Sequence, residues 1–272
     1  MPGELQQEKL DAQKQWTANP CGSGTYLEGL EYGSKAYFDE VRRSRYAVTD
    51  TWMPETIDFS IANGKKLLEV GHGLGSDLLT FAEHGAEVYG VDLTDEHHRM
   101  ATRNFALHGR PVTLERCDAA NLPFASNSFD YVYSHGVLHH TPDTVRCISE
   151  IFRVLKPGGT MILGLYYRFS AFHLFAKILA QGVVGGRLFR LGYRGLMATL
   201  EYGADGTNTK PLVKTYTKRE LRCILEDFTT VRFRIAHFKR SHMPVLGLLI
   251  PPFLEKPLAR VIGWYVIAVA VK

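Results

Sequence analysis

Cysteine is scarce in this chain, and what there is lies scattered. Cys21, Cys117, Cys147 and Cys223 stand among 272 residues without a C-x-x-C pair. That spacing suggests neither a disulfide framework nor a zinc knot. An excess of one charge is also lacking: 32 Lys and Arg against 28 Asp and Glu leave a net +4, too mild to argue for nucleic acid. Residues 1–15 are polar and lack the apolar core of a secretory signal, so a reducing cytoplasm is the expected compartment. No apolar run suits a membrane span. Residues 169–186 carry His173 and Lys177, and residues 243–254 are short and broken by prolines. Internal repeats and low-complexity tracts are absent.

What is present is an ordinary globular composition, 45% hydrophobic and 22% charged, enough to bury one large core. The most specific stretch is Leu67-Leu68-Glu69-Val70-Gly71-His72-Gly73-Leu74-Gly75-Ser76-Asp77. An apolar run ends in an acid and three alternate glycines, and the next apolar run closes on Asp92. Glycine lets the backbone turn sharply and approach a ligand closely. An acid at the tip of the following strand suits the two hydroxyls of a ribose. A nucleoside-containing cofactor at the carboxyl edge of a parallel sheet follows. A dinucleotide site wants Gly-x-Gly-x-x-Gly, with a pyrophosphate on the helix N-terminus. Here Ser76 and Asp77 follow Gly75, and a carboxylate in that first turn would repel a pyrophosphate. Glu69 likewise suits an ammonium group. S-adenosyl-L-methionine has a ribose, an adenine, a sulfonium and an amino acid but no phosphate, and it fits better.

Strand-like and helix-like segments alternate through the middle of the chain. Strands read at 67–70, 87–92, 112–115, 129–134 and 160–166, with helices at 76–84, 95–108 and from Pro142 to Leu155. This alternation implies an α/β, doubly wound parallel sheet. After Tyr167 the rhythm breaks. Residues 169–199 read as one or two helices and 201–216 as a loop. Thr217-Lys218-Arg219-Glu220 is a capping box that starts a helix through Asp227. Residues 230–237 and 264–271 read as the last two strands.

From Lys65 to Tyr167 the chain resembles the class I S-adenosylmethionine-dependent methyltransferases, in the branch with ubiquinone/menaquinone-type small-molecule enzymes. The glycine loop carries the resemblance together with Val88-Tyr89-Gly90-Val91-Asp92, Cys117-Asp118-Ala119-Ala120-Asn121-Leu122-Pro123-Phe124, Phe129-Asp130-Tyr131-Val132-Tyr133-Ser134, His139-His140 and Leu155-Lys156-Pro157-Gly158-Gly159. It implies a Rossmann-like, seven-stranded sheet whose last strand is antiparallel. Residues 1–60 would form a helical lid and 61–272 the cofactor-binding domain, with 168–216 inserted between strands five and six as a substrate wall. Gly71, Gly73 and Gly75, with His72 among them, would lie against the methionine part, and Glu69 would hold its amino end. Asp92 would take the ribose hydroxyls, with Leu93 beside it. Asp118 would meet the adenine amino group and Ala119 the ring edge. Ser134 and His135 would face the sulfonium. Asp130 reads as structural.

His139 and His140 follow the fourth strand, where acceptor and sulfonium should meet. An imidazole there is placed to remove a hydroxyl or amine proton near neutral pH; shaping the pocket or capping the next helix are the plainer roles. His135 and His139 share i, i+4 spacing, but no third ligand follows, so no metal is expected. His97-His98 reads as a solvated face. Trp16, Tyr37, Tyr46 and Tyr166 are the candidate acceptor contacts, and an aromatic-rich lid suits a flat or greasy molecule. The same aromatics would equally serve as the lid's own core. The greasy stretches 169–186 and 243–254, with Arg187, Arg190, Arg194, Lys239 and Arg240 nearby, have four readings: burial under the lid, a lipid channel, an oligomer interface, or contact with an anionic membrane surface. The expected activity is in-line methyl transfer to an O, N or C atom of a small, hydrophobic or aromatic/isoprenoid-like molecule. A nicotinamide (NAD(P)) oxidoreductase is the alternative, without an obvious Tyr-x-x-x-Lys. A nucleic-acid methyltransferase would want an Asn/Asp-Pro-Pro-Tyr tetrad where Ser134-His135-Gly136-Val137 stands.

Overall fold

The computed structural model describes residues 2–18, 27–200 and 212–272. Among these, one sheet comprises β1 (Lys66–Val70), β2 (Glu87–Asp92), β3 (Thr113–Arg116), β4 (Phe129–His135), β5 (Leu155–Tyr166), β6 (Thr230–Ala236) and β7 (Tyr265–Val271). Their spatial order is β3-β2-β1-β4-β5-β7-β6, with β7 antiparallel to both neighbours and the pairs from β3 to β5 parallel. The direction of winding switches between β1 and β4, which opens a crevice at their carboxyl ends. The helices are α1 (Pro2–Ala18), α2 (Lys35–Ser44, continued as a π-turn over Arg45–Thr49), α3 (Met53–Thr56), α4 (Ser76–Glu83), α5 (Asp95–Leu107), α6 (Thr144–Val154), α7 (Arg187–Ala198), α8 (Lys218–Ile224) and α9 (Glu255–Ile262). A π-helix, Phe172–Val184, precedes α7.

The period-two alternation of strands decides which face each residue takes. Leu67 and Tyr133 join one buried cluster with Phe81 and Phe105, while Leu68, Val70 and Val132 join the other with Ile148 and Ile151. Both faces of the sheet are therefore covered, as the apolar run of β4 requires. α6 buries Cys147, Ile148, Ile151 and Val154 at helical spacing.

Three expectations shift at their edges. Asp143 caps α6 by accepting the Arg146 amide at 2.9 Å, so Pro142 precedes the cap instead of sitting in the first turn. β5 starts at Leu155, opposite Phe129, and changes register before Thr160 pairs with Tyr131. The Pro157-Gly158-Gly159 turn is thus a bulge within the strand. α8 begins on the expected Thr217–Glu220 capping box but ends at Ile224. Cys21, the turn around it and most of the 201–216 loop lie outside the described residues.

Candidate active site

A cavity of about 620 Å³ lies in the crevice at the carboxyl ends of β1, β2 and β4. Lys9, Gln15 and Trp16 of α1 and Arg45 of the π-turn cover it. The glycine loop forms its floor. Gly71 holds φ at +80°, and a Cβ there would stand 2.3 Å from Val137 Cγ2; the turn and the close approach both require glycine.

Of the residues expected around the cofactor, Glu69, Gly71, His72, Gly73, Asp92, Leu93, Asp118, Ala119 and His135 line this cavity. Gly75 and Ser134 do not. A Cβ on Gly75 would stand 3.3 Å from the Ala101 and Phe105 side chains, so this glycine serves the packing of α4 on α5. Ser134 is fully buried and donates to the Val70 carbonyl at 2.9 Å, which ties β4 to β1.

The acids differ in how they are satisfied. Asp92 is buried at the tip of β2 and accepts from the Gly73 amide at 3.1 Å, the Thr94 amide at 3.0 Å and His97 Nδ1 at 3.1 Å. Burial alone would raise its pKa, but the His97 hydrogen bond and the amides win and hold it well below the usual carboxylate range. His97 is therefore not on a solvated face. It is buried, lines the cavity and orients Asp92; the Thr94 cap brings the first turn of α5 back over the strand tip. Asp118 bonds Lys9 of α1 through one oxygen and accepts the Ala120 amide at 2.9 Å through the other. His72 folds over β2, where a Cβ on Gly90 would stand 2.9 Å from its ring.

Glu69 is the exception. Its Oε2 is buried and has no hydrogen-bond partner. Burial, and then the neighbouring Asp77 charge, push its carboxyl well above the usual range. Asp77 goes the other way, because Arg45 donates to both its oxygens at 2.8 Å and Tyr46 and Tyr133 donate at 2.8 and 2.9 Å. Thus Asp77 does not stand bare toward the loop; its charge is already spent on Arg45 of the π-turn. An ammonium group at Glu69 would satisfy the orphaned oxygen and stabilise its charge. The amino end of S-adenosylmethionine is such a group.

The acceptor side is less uniform. Trp16 and Tyr166 line the cavity, with the Trp16 ring 5.1 Å from His140. Tyr37 and Tyr46 do not. Tyr37 is buried with Phe38, Val41 and Met100, where α2 packs on α5, and Tyr46 spends its hydroxyl on Asp77. His140 lines the cavity and His139 does not. His139 is wholly buried against the Tyr166 ring, 3.8 Å between centroids, and neither of its nitrogens has a partner. Burial, and then His140, hold it neutral far below the ordinary histidine range. His140 donates through Nδ1 to the Leu212 carbonyl at 2.8 Å. His135 packs 4.7 Å from the Tyr265 ring, and burial lowers its pKa to about 4.

Residues 68–163 match the model of a methyltransferase domain. Over 99 residues the chain is 40% identical to the phthiotriol/phenolphthiotriol dimycocerosates methyltransferase of Mycobacterium leprae, a match covering 36% of each. Over 158 residues it is 31% identical to the S-adenosyl-L-methionine-dependent Diels-Alderase iccD of Talaromyces variabilis, covering 51% of this chain and 54% of that one. The first curated relatives it matches are spanned only in part, from 24% to 54% of their length. Among solved structures, the SAM-dependent methyltransferase of Methanosarcina mazei has the same fold, with a TM-score of 0.54 at 19% identity over 81% of this chain and 96% of that one. Residues 68–163 thus carry the match to a methyltransferase domain, and the strand order is that of a SAM-dependent methyltransferase fold, with the orphaned acid Glu69 and the acid Asp92 at its carboxyl edge.

Proposed function

We propose that the chain transfers the methyl group of S-adenosylmethionine to an O, N or C atom of a small, lipophilic molecule. The observation that carries this is Glu69, a buried carboxyl with an orphaned oxygen, set beside Asp92 at adjacent strand tips in one cavity. When bound, the cofactor supplies a methyl group on a positively charged sulfur, open to in-line displacement. Glu69 would hold its ammonium end, Asp92 its ribose, and Asp118 with Ala119 its adenine. His135, neutral near pH 7, would border the sulfonium side without repelling it.

The chain's other task is to orient and dry the reacting pair, a contribution on the order of 7–11 kcal/mol when the geometry is good. Residues 1–60 would act as the lid, through Trp16 and Arg45, and residues 168–216 as the insert next to the acceptor. His140, on the cavity wall, would take the acceptor's proton where the acceptor is a hydroxyl. The aromatic wall of Trp16, Tyr166 and Tyr265 suits a greasy acceptor, and the Mycobacterium leprae relative is named for methylating a lipid. The mild net charge and the lack of an Asn/Asp-Pro-Pro-Tyr tetrad argue against a nucleic-acid acceptor.

Calorimetric titration with S-adenosylhomocysteine, the product, tests the cofactor, with NADH in parallel. Micromolar binding of the former alone is the expected result, and labelled methyl transfer to a panel of hydroxylated lipids then tests the acceptor. Binding of NADH alone would sink the reading.

A further inference from the structure

The stretches 169–186 and 243–254 are buried only in part. Val184, Leu249 and Phe253 are between 75 and 80% exposed and Leu248 is 85% exposed; Phe189, at 79%, lies just beyond the first stretch on α7. Single exposed apolar residues are ordinary, but clusters of them mark an interaction surface. Topology puts both stretches at one edge of the molecule. The first leaves the carboxyl end of β5. The second joins the carboxyl end of β6 to the start of antiparallel β7, which is the same edge. The two meet where Phe172 packs against His242, 5.0 Å between ring centroids.

The charges in these stretches are mainly basic. Residues 169–200 contain Lys177, Arg187, Arg190 and Arg194 and no acid, and residues 239–262 contain four Lys and Arg against Glu255 alone. Lys177 is buried, and Arg194 is engaged with Glu8, Arg240 with Glu255 and Lys256 with Glu55. Arg187 and Arg190 are exposed on α7, flanking Phe189. Apolar side chains that project beside uncompensated arginines match the layering of a bilayer surface, where acyl chains lie just beneath anionic headgroups. A neutral protein partner would not call for the arginines.

We propose that this carboxyl-edge platform docks on an anionic phospholipid bilayer. An aromatic row runs from the platform to the cavity: Phe172 lies 4.9 Å from Trp264, and Trp264 stacks 4.2 Å from Tyr166. A lipophilic acceptor would thus enter from the membrane side; that consequence rests on the proposed function, whereas the docking does not.

Co-sedimentation of the full chain with vesicles tests the docking. Vesicles of phosphatidylcholine with phosphatidylglycerol should retain the protein, and phosphatidylcholine alone should retain it ~10-fold less, as loss of several basic contacts implies. Two variants, Leu248→Ser with Leu249→Ser and Arg187→Glu with Arg190→Glu, should each lose retention while keeping S-adenosylhomocysteine binding. That binding, read by calorimetry without vesicles, shows the fold intact and reports separately on the cofactor reading. Absence of vesicle binding by the wild type, or unchanged binding by both variants, overturns the proposal. So does sedimentation velocity showing a lipid-free dimer that the Leu248→Ser, Leu249→Ser variant abolishes, since the surface would then be an interface between copies.

Discussion

Arg45 donates to both carboxylate oxygens of Asp77 at 2.8 Å, joining the π-turn that follows α2 to the first turn of the helix after the glycine loop. Asp77 is almost fully buried while Arg45 is only partly so. Removing the guanidinium would leave a buried charge whose remaining donors are two tyrosine hydroxyls. Arg45→Ala should cost about 3 kcal/mol, read as a loss of several degrees in thermal midpoint. Adding Asp77→Asn should recover part of that loss, because the stranded charge disappears. A double variant less stable than Arg45→Ala would show that the pair is not the latch.

Glu69 makes stability and binding pull in opposite directions. Its carboxyl is raised well above the ordinary value by burial and by Asp77, so the folded chain holds that proton more tightly than the unfolded chain does. Between the ordinary value and the raised one, stability therefore falls as pH rises. Glu69→Gln removes this slope. It should raise the thermal midpoint at neutral pH, by roughly 1 kcal/mol of stability, and should lose most affinity for S-adenosylhomocysteine. Denaturant melts across pH and calorimetry check the two halves. A variant that binds normally would remove Glu69 from the ammonium role.

Sequence reasoning found Glu69 and Asp92 because each closes an apolar run, so the strand itself delivers the acid to the sheet edge. The parallel, doubly wound part of the sheet was legible from alternating runs of two periods, whereas the antiparallel last strand followed only from the family resemblance. His97 escaped it. Its value depends on the Thr94 cap turning α5 back over Asp92, and a His-His pair on a helix looks solvated until that turn is known. The aromatics were hidden for a different reason. Tyr37, Tyr46, Trp16 and Tyr166 are alike in composition, but only packing decides that Tyr37 is buried beside Met100, Tyr46 serves Asp77, and the other two reach the cavity. Gly75 and Ser134 show the same limit. They stand beside lining residues in the chain, but their atoms are spent on packing and on a backbone carbonyl.

His97 bonds Asp92, so in the proposed function it would act on the cofactor only through that acid, as a positioning residue. His97→Ala should leave Asp92 charged but one donor short and free to turn. Affinity for S-adenosylhomocysteine should fall ~10-fold, the scale of one hydrogen bond to a charged group. Turnover at saturating cofactor should hardly change. A fall in turnover with affinity intact would place His97 nearer the chemistry than its bond to Asp92 allows.

The two adjacent histidines past β4 should separate cleanly. His140 reaches the cavity with Nδ1 committed to the Leu212 carbonyl, so His140→Ala should lower turnover on a hydroxyl acceptor by about 10²–10⁴-fold and leave cofactor affinity unchanged. His139 is packed against Tyr166 with no exposure and stays neutral. Its loss opens a hole, so His139→Ala should cost about 2 kcal/mol of stability while turnover per folded molecule is largely kept. His139→Leu distinguishes packing from chemistry, since an apolar side chain of similar size restores contacts but cannot take a proton. Stability recovered by leucine together with retained turnover fixes His139 as core. Turnover lost in both His139 variants, with His140→Ala active, would move the proton-accepting role from the cavity wall to the residue behind it.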